Sequence, residues 1–383
     1  MSAVRSKIIQ ISQPSIGTDE FNALRDPIES GWLTQGPKVK AFEDAFAERH
    51  SVKHALATSS CTTALHLALV ALGIGAGDEV IVPAFTWVAT ANAVIYCGAK
   101  PVFVDVREDT YNLDFAQLKS VLTERTRAII PVHLFGLCAD IDEIKLVVPE
   151  QVVLIEDAAC AAGASYKGES AGSLGDAGCF SFHPRKSITT GEGGMLTTND
   201  DSLAERANVL RNHGASLSEE SRHQGSQPYL LPDFDVLGFN YRMTDLQGAI
   251  GSVQLSRLGD FLSERAKWAG WYGDVLDDIP WLMCPKVPKN CGHGWQAYVA
   301  VVDENIAPAP RNEIMRKLQS EGVSTRPGTH AITELGYYKS LLGLQPAQFA
   351  VASRLEKVSL ALPLHNCMSE EDYAYVSDVL HRV

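Results

Sequence analysis

The chain has 383 residues, 45% of them hydrophobic and 21% charged, and its formal net charge is −13. This length predicts one large α/β domain with a smaller one, or two to three domains of ordinary size. The acidic balance and the lack of a basic stripe argue against a nucleic-acid-binding protein. An anionic small ligand stays compatible, because a helix N-terminus can hold a phosphate in an acidic protein.

The eight cysteines indicate a reducing compartment and no metal site. None forms a Cys-x-x-Cys pair, and no cysteine–histidine cluster has zinc spacing. We therefore expect reduced thiols, as in cytoplasmic proteins. The N-terminus lacks the apolar core of a signal peptide, and the apolar runs are too short to span a bilayer, so we expect no membrane association.

Short apolar strands alternate with helices after an irregular segment and a helix in residues 12–50. Strands are predicted at 54–57, 79–82, 101–105, 127–133 and 152–157, and helices at 62–72, at 86–96, from Asp114 and after the capping residue Asp140. This alternation indicates a largely parallel sheet with helices on both faces, in which ligands bind at the carboxyl ends of the strands.

The later elements indicate a change of domain near residue 260. They are strands at 177–181 and 195–198, a helix from the cap Asn199 to Asn212, a mobile polar loop at 216–227, a long amphipathic helix after Asp245, a strand at 295–302 and a helix at 311–321. We expect an α/β large domain over residues 1–260, with a mostly parallel sheet flanked by helices, and a small C-terminal α+β domain over residues 261–383.

Two charged residues follow predicted strands. Lys186 lies in the turn after strand 177–181, where poor hydration lowers the pKa of a lysine toward the neutral amine that a Schiff base requires. A surface lysine is the simpler alternative. Asp157 ends strand 152–157, where a buried carboxylate needs a partner such as a protonated pyridine nitrogen. A helix cap for Ala158 explains that carboxylate equally well.

A phosphate cradle and an aromatic cover complete the pattern. In Ser59–Leu65, the free N–H groups of a helix start and the hydroxyls of Thr62 and Thr63 could hold a phosphate, although a plain helix cap looks the same. Trp87 could cover a flat ring, although most tryptophans belong to the core. With Asp157 and Lys186, these groups match what pyridoxal 5′-phosphate needs.

The chain resembles the DegT-type sugar aminotransferases, a branch of the fold type I pyridoxal phosphate enzymes in the aspartate aminotransferase superfamily. The motifs that carry this resemblance are Glu29–Pro37, Gly77–Trp87, Ile155–Ala159, Ser181–Lys186, Gly238–Asp245 and Ala361–His365. The resemblance spans nearly the whole chain. It implies the fold type I architecture, a transaminase activity and pyridoxal 5′-phosphate as cofactor.

The resemblance also implies roles for individual residues. Lys186 forms the Schiff base and shuttles the proton, and Asp157 pairs with the ring nitrogen. The other cofactor contacts that it implies are Trp87 on the ring, Cys61 and Thr62 through their backbone, Ser181 through its hydroxyl, and Asn240 from the other subunit of a homodimer. We also assign His183, Arg326 and His330 to substrate binding, although a plain surface arginine explains Arg326 equally well.

Two positions depart from the family pattern. Cys61 stands where many members have glycine, and Cys160 stands where members often have glutamine or histidine. A thiol is a poorer hydrogen-bonding partner for the phenolic oxygen of the cofactor, so the contact from Cys160 is the weakest of the predicted set. Lys186 is present and not replaced by histidine, which favours transamination over the dehydration that a branch of the family performs.

The hypothesis is therefore that the protein transfers the amino group of L-glutamate to a ketone of a nucleotide-linked keto-deoxy sugar. C4 is the favoured position of this ketone. Such a sugar would serve cell-surface polysaccharide or glycoconjugate biosynthesis. A C3-keto sugar, a cyclitol ketone or a small phosphorylated ketone is an alternative acceptor. A non-catalytic regulator that binds the cofactor, and a nicotinamide-dependent dehydrogenase, are remoter alternatives. The dehydrogenase lacks support because no Gly-x-Gly-x-x-Gly follows the first strand.

Overall fold

A computed structural model describes residues 8–216 and 231–383 of the chain. The predicted mobile loop at 216–227 therefore lies outside the described residues, except for Ser216. Among the described residues, no helix is both long enough and apolar enough to pass through a bilayer.

The predicted strands and helices occur in the predicted order, and further short strands and C-terminal helices that the sequence analysis did not predict lie among and after them. The strands are β1 (His54–Thr58), β2 (Glu79–Pro83), β3 (Phe85–Thr86), β4 (Lys100–Val104), β5 (Thr126–Ile129), β6 (Val153–Asp157), β7 (Ser165–Tyr166), β8 (Glu169–Ser170), β9 (Ala177–Ser181), β10 (Gly194–Thr198), β11 (Leu282–Met283), β12 (Cys291–Gly292), β13 (Tyr298–Val302), β14 (His330–Ala331) and β15 (Ser359–Leu362). The α-helices are α1 (Thr18–Ala23), α2 (Arg25–Ser30), α3 (Pro37–His50), α4 (Cys61–Ala71), α5 (Ala89–Tyr96), α6 (Leu118–Val121), α7 (Ile141–Val147), α8 (Asp201–Arg211), α9 (Asp245–Ser256), α10 (Leu258–Val275), α11 (Arg311–Ser320), α12 (Gly336–Leu342), α13 (Ala350–Val358) and α14 (Glu370–His381). Short 3-10 helices lie at Phe115–Gln117, Leu134–Gly136, Ile332–Glu334 and Pro346–Phe349.

The main sheet has seven strands in the order β1-β10-β9-β6-β5-β2-β4. Strands β9, β6, β5, β2 and β4 pair in parallel, whereas β10 is antiparallel to β1 and to β9. If β10 were parallel to β9, the chain would need a long crossover between them, usually through a helix. The segment 182–193 that joins the two strands is short and contains no helix. The chain therefore turns back at the carboxyl end of β9, and Lys186 lies in this turn. The predicted α/β fold with a mostly parallel sheet flanked by helices is confirmed.

Each face of the main sheet is covered by its own apolar core. Leu65 and Leu69 of α4 and Val94 of α5 pack on one face. Phe42 and Phe46 of α3 belong to the core on the other face. Burying large side chains of this kind stabilises the fold by about 1.5–3 kcal/mol each. The sheet is thus held from both sides, and its carboxyl edge is a rigid platform for the residues after β6 and β9.

The C-terminal part has a sheet and core of its own. Strands β11, β13 and β15 form an antiparallel sheet, and Trp268 of α10 stacks on Tyr373 of α14 with ring centroids 4.3 Å apart. Strand β14, however, pairs with β3, and Leu355 of α13 belongs to the same core as α4. The division at residue 260 stays a prediction, and the chain after it contacts the main sheet closely.

Several element boundaries differ from the predictions. The helix expected at 86–96 starts at Ala89, because Phe85–Thr86 pair with β14 instead. The cap of α8 is Asp200, whose carboxylate accepts the N–H groups of Ser202 and Leu203, while Asn199 accepts the N–H of Lys53. Two short helices, α1 and α2, replace part of the irregular segment at the N-terminus, and the strand expected from residue 295 starts at Tyr298.

Candidate active site

Asp157 ends β6 as a buried carboxylate that two donors hold in place. Its Oδ2 accepts the hydroxyl of Thr90 at 2.7 Å, and its Oδ1 accepts the backbone N–H of Ala159 at 3.2 Å. No helix follows, so the interpretation of Asp157 as a helix cap is wrong. Burial raises the pKa of Asp157, and the two donors together with the charge of Lys186 lower it only in part. The carboxylate therefore favours a cationic partner.

Thr90 is a residue that sequence analysis missed. It is fully buried on α5, and its hydroxyl also lies 3.2 Å from that of Thr86 on β3. Its bond to Asp157 joins residues 67 positions apart, and no local pattern reports such a contact. The hydroxyl orients one oxygen of Asp157, so that the remaining lone pairs of the carboxylate are directed at the site.

Replacing Thr90 by valine is expected to weaken cofactor binding about 10- to 100-fold, because a hydrogen bond to a charged group contributes about 1.5–3 kcal/mol. Valine keeps the shape of the side chain and removes only the donor. A titration of the cofactor-free protein with pyridoxal phosphate measures the effect. The Thr90→Ser variant retains the hydroxyl and should bind nearly as well as the wild type, and equal weakening in both variants would contradict this role.

A second buried pair lies next to Asp157 on the same strand. The carboxylate of Glu156 accepts from His133 Nε2 at 2.8 Å, and both side chains are fully buried. Glu156 also accepts the N–H groups of Gly172, Leu174 and Gly175. His133 Nδ1 accepts the N–H of Ala139, which places the imidazole proton on Nε2. These bonds fix the ends of β5 and β6, and with them the backbone of Asp157.

Lys186 reaches the end of β6 from the turn after β9. Its amine donates to the thiol of Cys160 at 3.1 Å, three residues after Asp157. Burial lowers the pKa of Lys186, but its neighbours Cys160, Cys61 and Asp157 outweigh burial and raise it overall. The expected decrease of the pKa is therefore wrong for the chain without cofactor, because a carboxylate and sulfur groups surround the amine.

The predicted phosphate cradle lies at the start of α4. The hydroxyl of Ser60 accepts the N–H of Thr63, and Thr63 Oγ1 in turn accepts the N–H of Ser60 and donates to its carbonyl oxygen. The hydroxyl of Thr63 is thus used in the helix cap, so Thr62 is the better candidate for a phosphate contact. The backbone of Cys61 and Thr62 forms the first turn of the helix, where N–H groups attract anions.

Gly194, at the start of β10, lies directly against this cradle. A methyl group built on its Cα would lie 2.3 Å from the carbonyl carbon of Ser60 and 2.6 Å from the nitrogen of Cys61. These atoms are backbone and cannot move without deforming the helix start. Close approach of β10 to α4 therefore requires glycine here.

The Gly194→Ala variant is expected to lose about 1–3 kcal/mol of unfolding free energy, the usual cost of overpacking, together with affinity for the cofactor phosphate. Chemical denaturation and cofactor titration measure the two effects. The matched control is Gly273→Ala in α10, where a methyl group would meet no atom within 4 Å and should stabilise the helix slightly. Similar behaviour of the two variants would contradict the close approach.

The remaining predicted contacts lie around this centre. Trp87 is 56% exposed and is not a core residue, and its ring lies 5.6 Å from that of His330 on β14. The hydroxyl of Ser181, at the end of β9, accepts the N–H of His183 at 3.4 Å. His183 is half-buried, and burial lowers its pKa. An exposed indole at this edge is available to stack on a flat ring.

Asn240 and Arg326 are both exposed. Within the described residues, no hydrogen bond joins either side chain to the residues around Lys186. Asn240 forms a backbone bridge with Asn212, and the next residue, Tyr241, accepts the N–H of Ser59 beside the cradle. Arg326 is bridged to Ala361 through its backbone. Because Asn240 is exposed, its side chain is available to a neighbouring chain.

The site fits a flat, phosphorylated pyridine aldehyde. It combines an amine at Lys186, a buried carboxylate at Asp157 and a helix N-terminus at Cys61, all at the carboxyl edge of the main sheet. Among residues 8–216 and 231–383, no cluster of histidine, cysteine and acidic residues is suited to a metal ion. The amine, the carboxylate and the helix N-terminus correspond to the aldehyde, the ring nitrogen and the phosphate of such a cofactor.

Comparison with known proteins agrees with this chemistry. Residues 14–381 match the DegT/DnrJ/EryC1/StrS aminotransferase family. The spore coat polysaccharide biosynthesis protein SpsC of Bacillus subtilis is 40% identical over 99% of this chain and 97% of its own length. The GDP-perosamine synthase of Caulobacter vibrioides is 40% identical over 98% of both chains.

A solved structure shows the same fold. The putative sugar aminotransferase Spr1654 from Streptococcus pneumoniae, in its PMP form, superposes with a TM-score of 0.91 at 29% identity, covering 97% of this chain and 98% of that chain. In its PLP form the same protein has a TM-score of 0.89. These matches bear out the predicted cofactor and reaction class. The chain belongs to the DegT/DnrJ/EryC1/StrS aminotransferase family, and it is a pyridoxal phosphate-dependent aminotransferase.

Proposed function

We propose that the protein transfers the amino group of L-glutamate to the C4 ketone of a nucleotide-linked keto-deoxy sugar, in the biosynthesis of a cell-surface polysaccharide or glycoconjugate. The 40% identity to a GDP-perosamine synthase and to a spore coat polysaccharide biosynthesis protein supports a sugar acceptor. The proposal also places the enzyme in the cytoplasm, because all eight cysteines are free thiols.

The observation that carries the proposal is the position of the Lys186 amine, which lies 3.1 Å from the sulfur of Cys160, three residues after Asp157 in the chain. The charge of Asp157 also acts on this amine. When bound, pyridoxal phosphate supplies the carbonyl that carries the amino group and the ring that takes up electrons. Asp157 would hold the proton on the ring nitrogen. Lys186 would take the proton from the carbon of the amino donor and return it, as a positioned general acid–base.

The other residues would bind and orient. The backbone N–H groups of Cys61 and Thr62, with the hydroxyl of Ser181, would hold the phosphate, and Trp87 would cover the ring. We propose that Cys160 contacts the phenolic oxygen. His183, Arg326 and His330 are the proposed acceptor contacts, and His330 lies beside the exposed face of Trp87. A guanidinium such as that of Arg326 suits a phosphate of the acceptor.

The proposed assembly is a homodimer in which Asn240 of each chain contacts the phosphate held by the other chain. Asn240 is exposed, as this role requires. Mixing inactive Lys186→Ala chains with Asn240→Ala chains should then restore activity, because each mixed dimer contains one site with both residues intact. Asn240→Ala alone should weaken cofactor binding about 10-fold or more, the effect of losing a hydrogen bond to a charged group. An absence of complementation in mixed dimers would contradict shared sites.

The position of amination is tested with a labelled donor. The protein is incubated with ¹⁵N-labelled L-glutamate and a nucleotide-linked 4-keto-6-deoxy sugar, and the product is examined by NMR. We expect the ¹⁵N label on C4 of the sugar. A product formed only from a 3-keto sugar, a cyclitol ketone or a small phosphorylated ketone would overturn the proposed acceptor and leave the transaminase chemistry intact.

A further inference from the structure

Cys160 differs from the other cysteines in having an amine against its thiol. Lys186 Nζ donates to its sulfur at 3.1 Å, and both side chains are only partly buried. Small polar oxidants can therefore reach them. Peroxide oxidises an accessible thiol to a sulfenic acid, and a nitrogen that lies against the oxidised sulfur can condense with it.

The remaining thiols are in less reactive surroundings. Burial raises the pKa of every one of them, namely Cys61, Cys97, Cys138, Cys179, Cys284, Cys291 and Cys367. Cys61 and Cys179 lie in the same site but are fully enclosed, and the thiol of Cys61 donates to the carbonyl oxygen of Cys179. Oxidation at this site is thus directed to Cys160.

We propose that Cys160 and Lys186 form a reversible covalent crosslink when the amine is free of cofactor and hydrogen peroxide is present. In the first step the thiol sulfur takes an oxygen from the peroxide, which gives a sulfenic acid and water. In the second step the amine of Lys186 first gives up a proton to the solvent and then attacks this sulfur. The S–O bond breaks, and the leaving hydroxide takes a second hydrogen from the nitrogen and departs as water. Counted from the neutral thiol and the neutral amine, the net change is the loss of one hydrogen from sulfur and one from nitrogen, and the peroxide is reduced to two waters.

The crosslink would affect only the cofactor-free enzyme. It consumes the amine that binds the cofactor, so it forms in the cofactor-free protein and blocks loading until a thiol reduces the S–N bond. Formation of the crosslink also prevents oxidation of Cys160 to the irreversible sulfinic acid. The crosslink would thus protect the site during oxidative stress and release it afterwards.

The test uses cofactor-free protein, hydrogen peroxide and peptide mass spectrometry without reduction. Trypsin should release residues 146–167 joined to residues 186–206, because a modified Lys186 is no longer cleaved. The joined pair should be about 2 Da lighter than the sum of its two peptides, and dithiothreitol should separate it. Protein loaded with pyridoxal phosphate before the oxidant should show much less of this pair.

Two variants control the assignment. Cys160→Ser removes the reacting sulfur and should give no joined peptides. Cys367→Ser removes an exposed thiol that lies against the carbonyl of Pro14, and it should behave like the wild type. Oxidation of wild-type Cys160 to sulfinic acid without joined peptides would overturn the proposal, and so would a joined pair that dithiothreitol leaves intact. Because this readout needs no amino transfer, its failure is distinct from a failure of the proposed function.

Discussion

The Lys186→Ala variant is expected to lose at least about 10²- to 10⁴-fold in turnover, the range that a positioned general acid–base contributes. The loss should be larger than for any other single change in the site, because the same amine also anchors the cofactor. Stopped assays of 2-oxoglutarate release from L-glutamate measure it. The fold should be unaffected, since among residues 8–216 and 231–383 the amine makes a single hydrogen bond, the one to Cys160.

The control for this prediction is an added amine. A small primary amine in the buffer can replace the proton transfer of Lys186 but not its position, so it should restore part of the turnover of Lys186→Ala in proportion to its concentration. Lys145→Ala is a matched lysine variant, because Lys145 donates to the carbonyl oxygen of Leu174 away from the site. Wild-type turnover in Lys186→Ala would exclude the assigned role.

The Asp157→Asn variant is expected to bind the cofactor roughly 10²- to 10⁴-fold more weakly, since breaking a buried ion pair costs about 3–5 kcal/mol. Asparagine keeps the size of the side chain but loses the charge that would hold a proton on the ring nitrogen. Spectroscopic titration gives the affinity, and steady-state kinetics at saturating cofactor give the separate loss in turnover. Both the affinity for the cofactor and the turnover should be lower than in the wild type.

The effect of Asp157→Asn should exceed that of Glu156→Gln on cofactor binding. Glu156 lies next to it on β6 and is equally buried, but its partners are His133 and the loop 172–175. Glu156→Gln should therefore reduce the unfolding free energy more than the affinity for the cofactor. The reverse order of effects would show that the carboxylate facing the cofactor has been misassigned.

The approach of Lys186 to Asp157 could be predicted because both residues follow buried apolar strands. Such strands are recognisable from their residues alone, and carboxyl ends of parallel strands meet at one edge of a sheet. The structure confirms that β6 and β9 are parallel neighbours. The predicted limits of strand β9, residues 177–181, agree with the observed ones.

Other parts of the site depend on contacts that leave no local pattern. The pairing of β3 with β14 joins Thr86 to His330 through strands of two residues each, too short for any periodicity. Thr90 looks like an ordinary helix residue until the fold brings it to Asp157. Likewise, Gly194 belongs to a glycine-rich run, and only the approach of α4 shows why a side chain is excluded there. The role of Asn240 requires a second chain, so one chain alone leaves it a prediction.

The visible absorption spectrum of the purified protein, recorded with added L-glutamate and then with the keto sugar, tests the central claim most directly. We expect the band of the pyridoxal form to disappear with glutamate as 2-oxoglutarate is released. It should return when a nucleotide-linked 4-keto-6-deoxy sugar accepts the amino group. A band that persists with L-glutamate and with every other amino donor would contradict an aminotransferase built around Lys186.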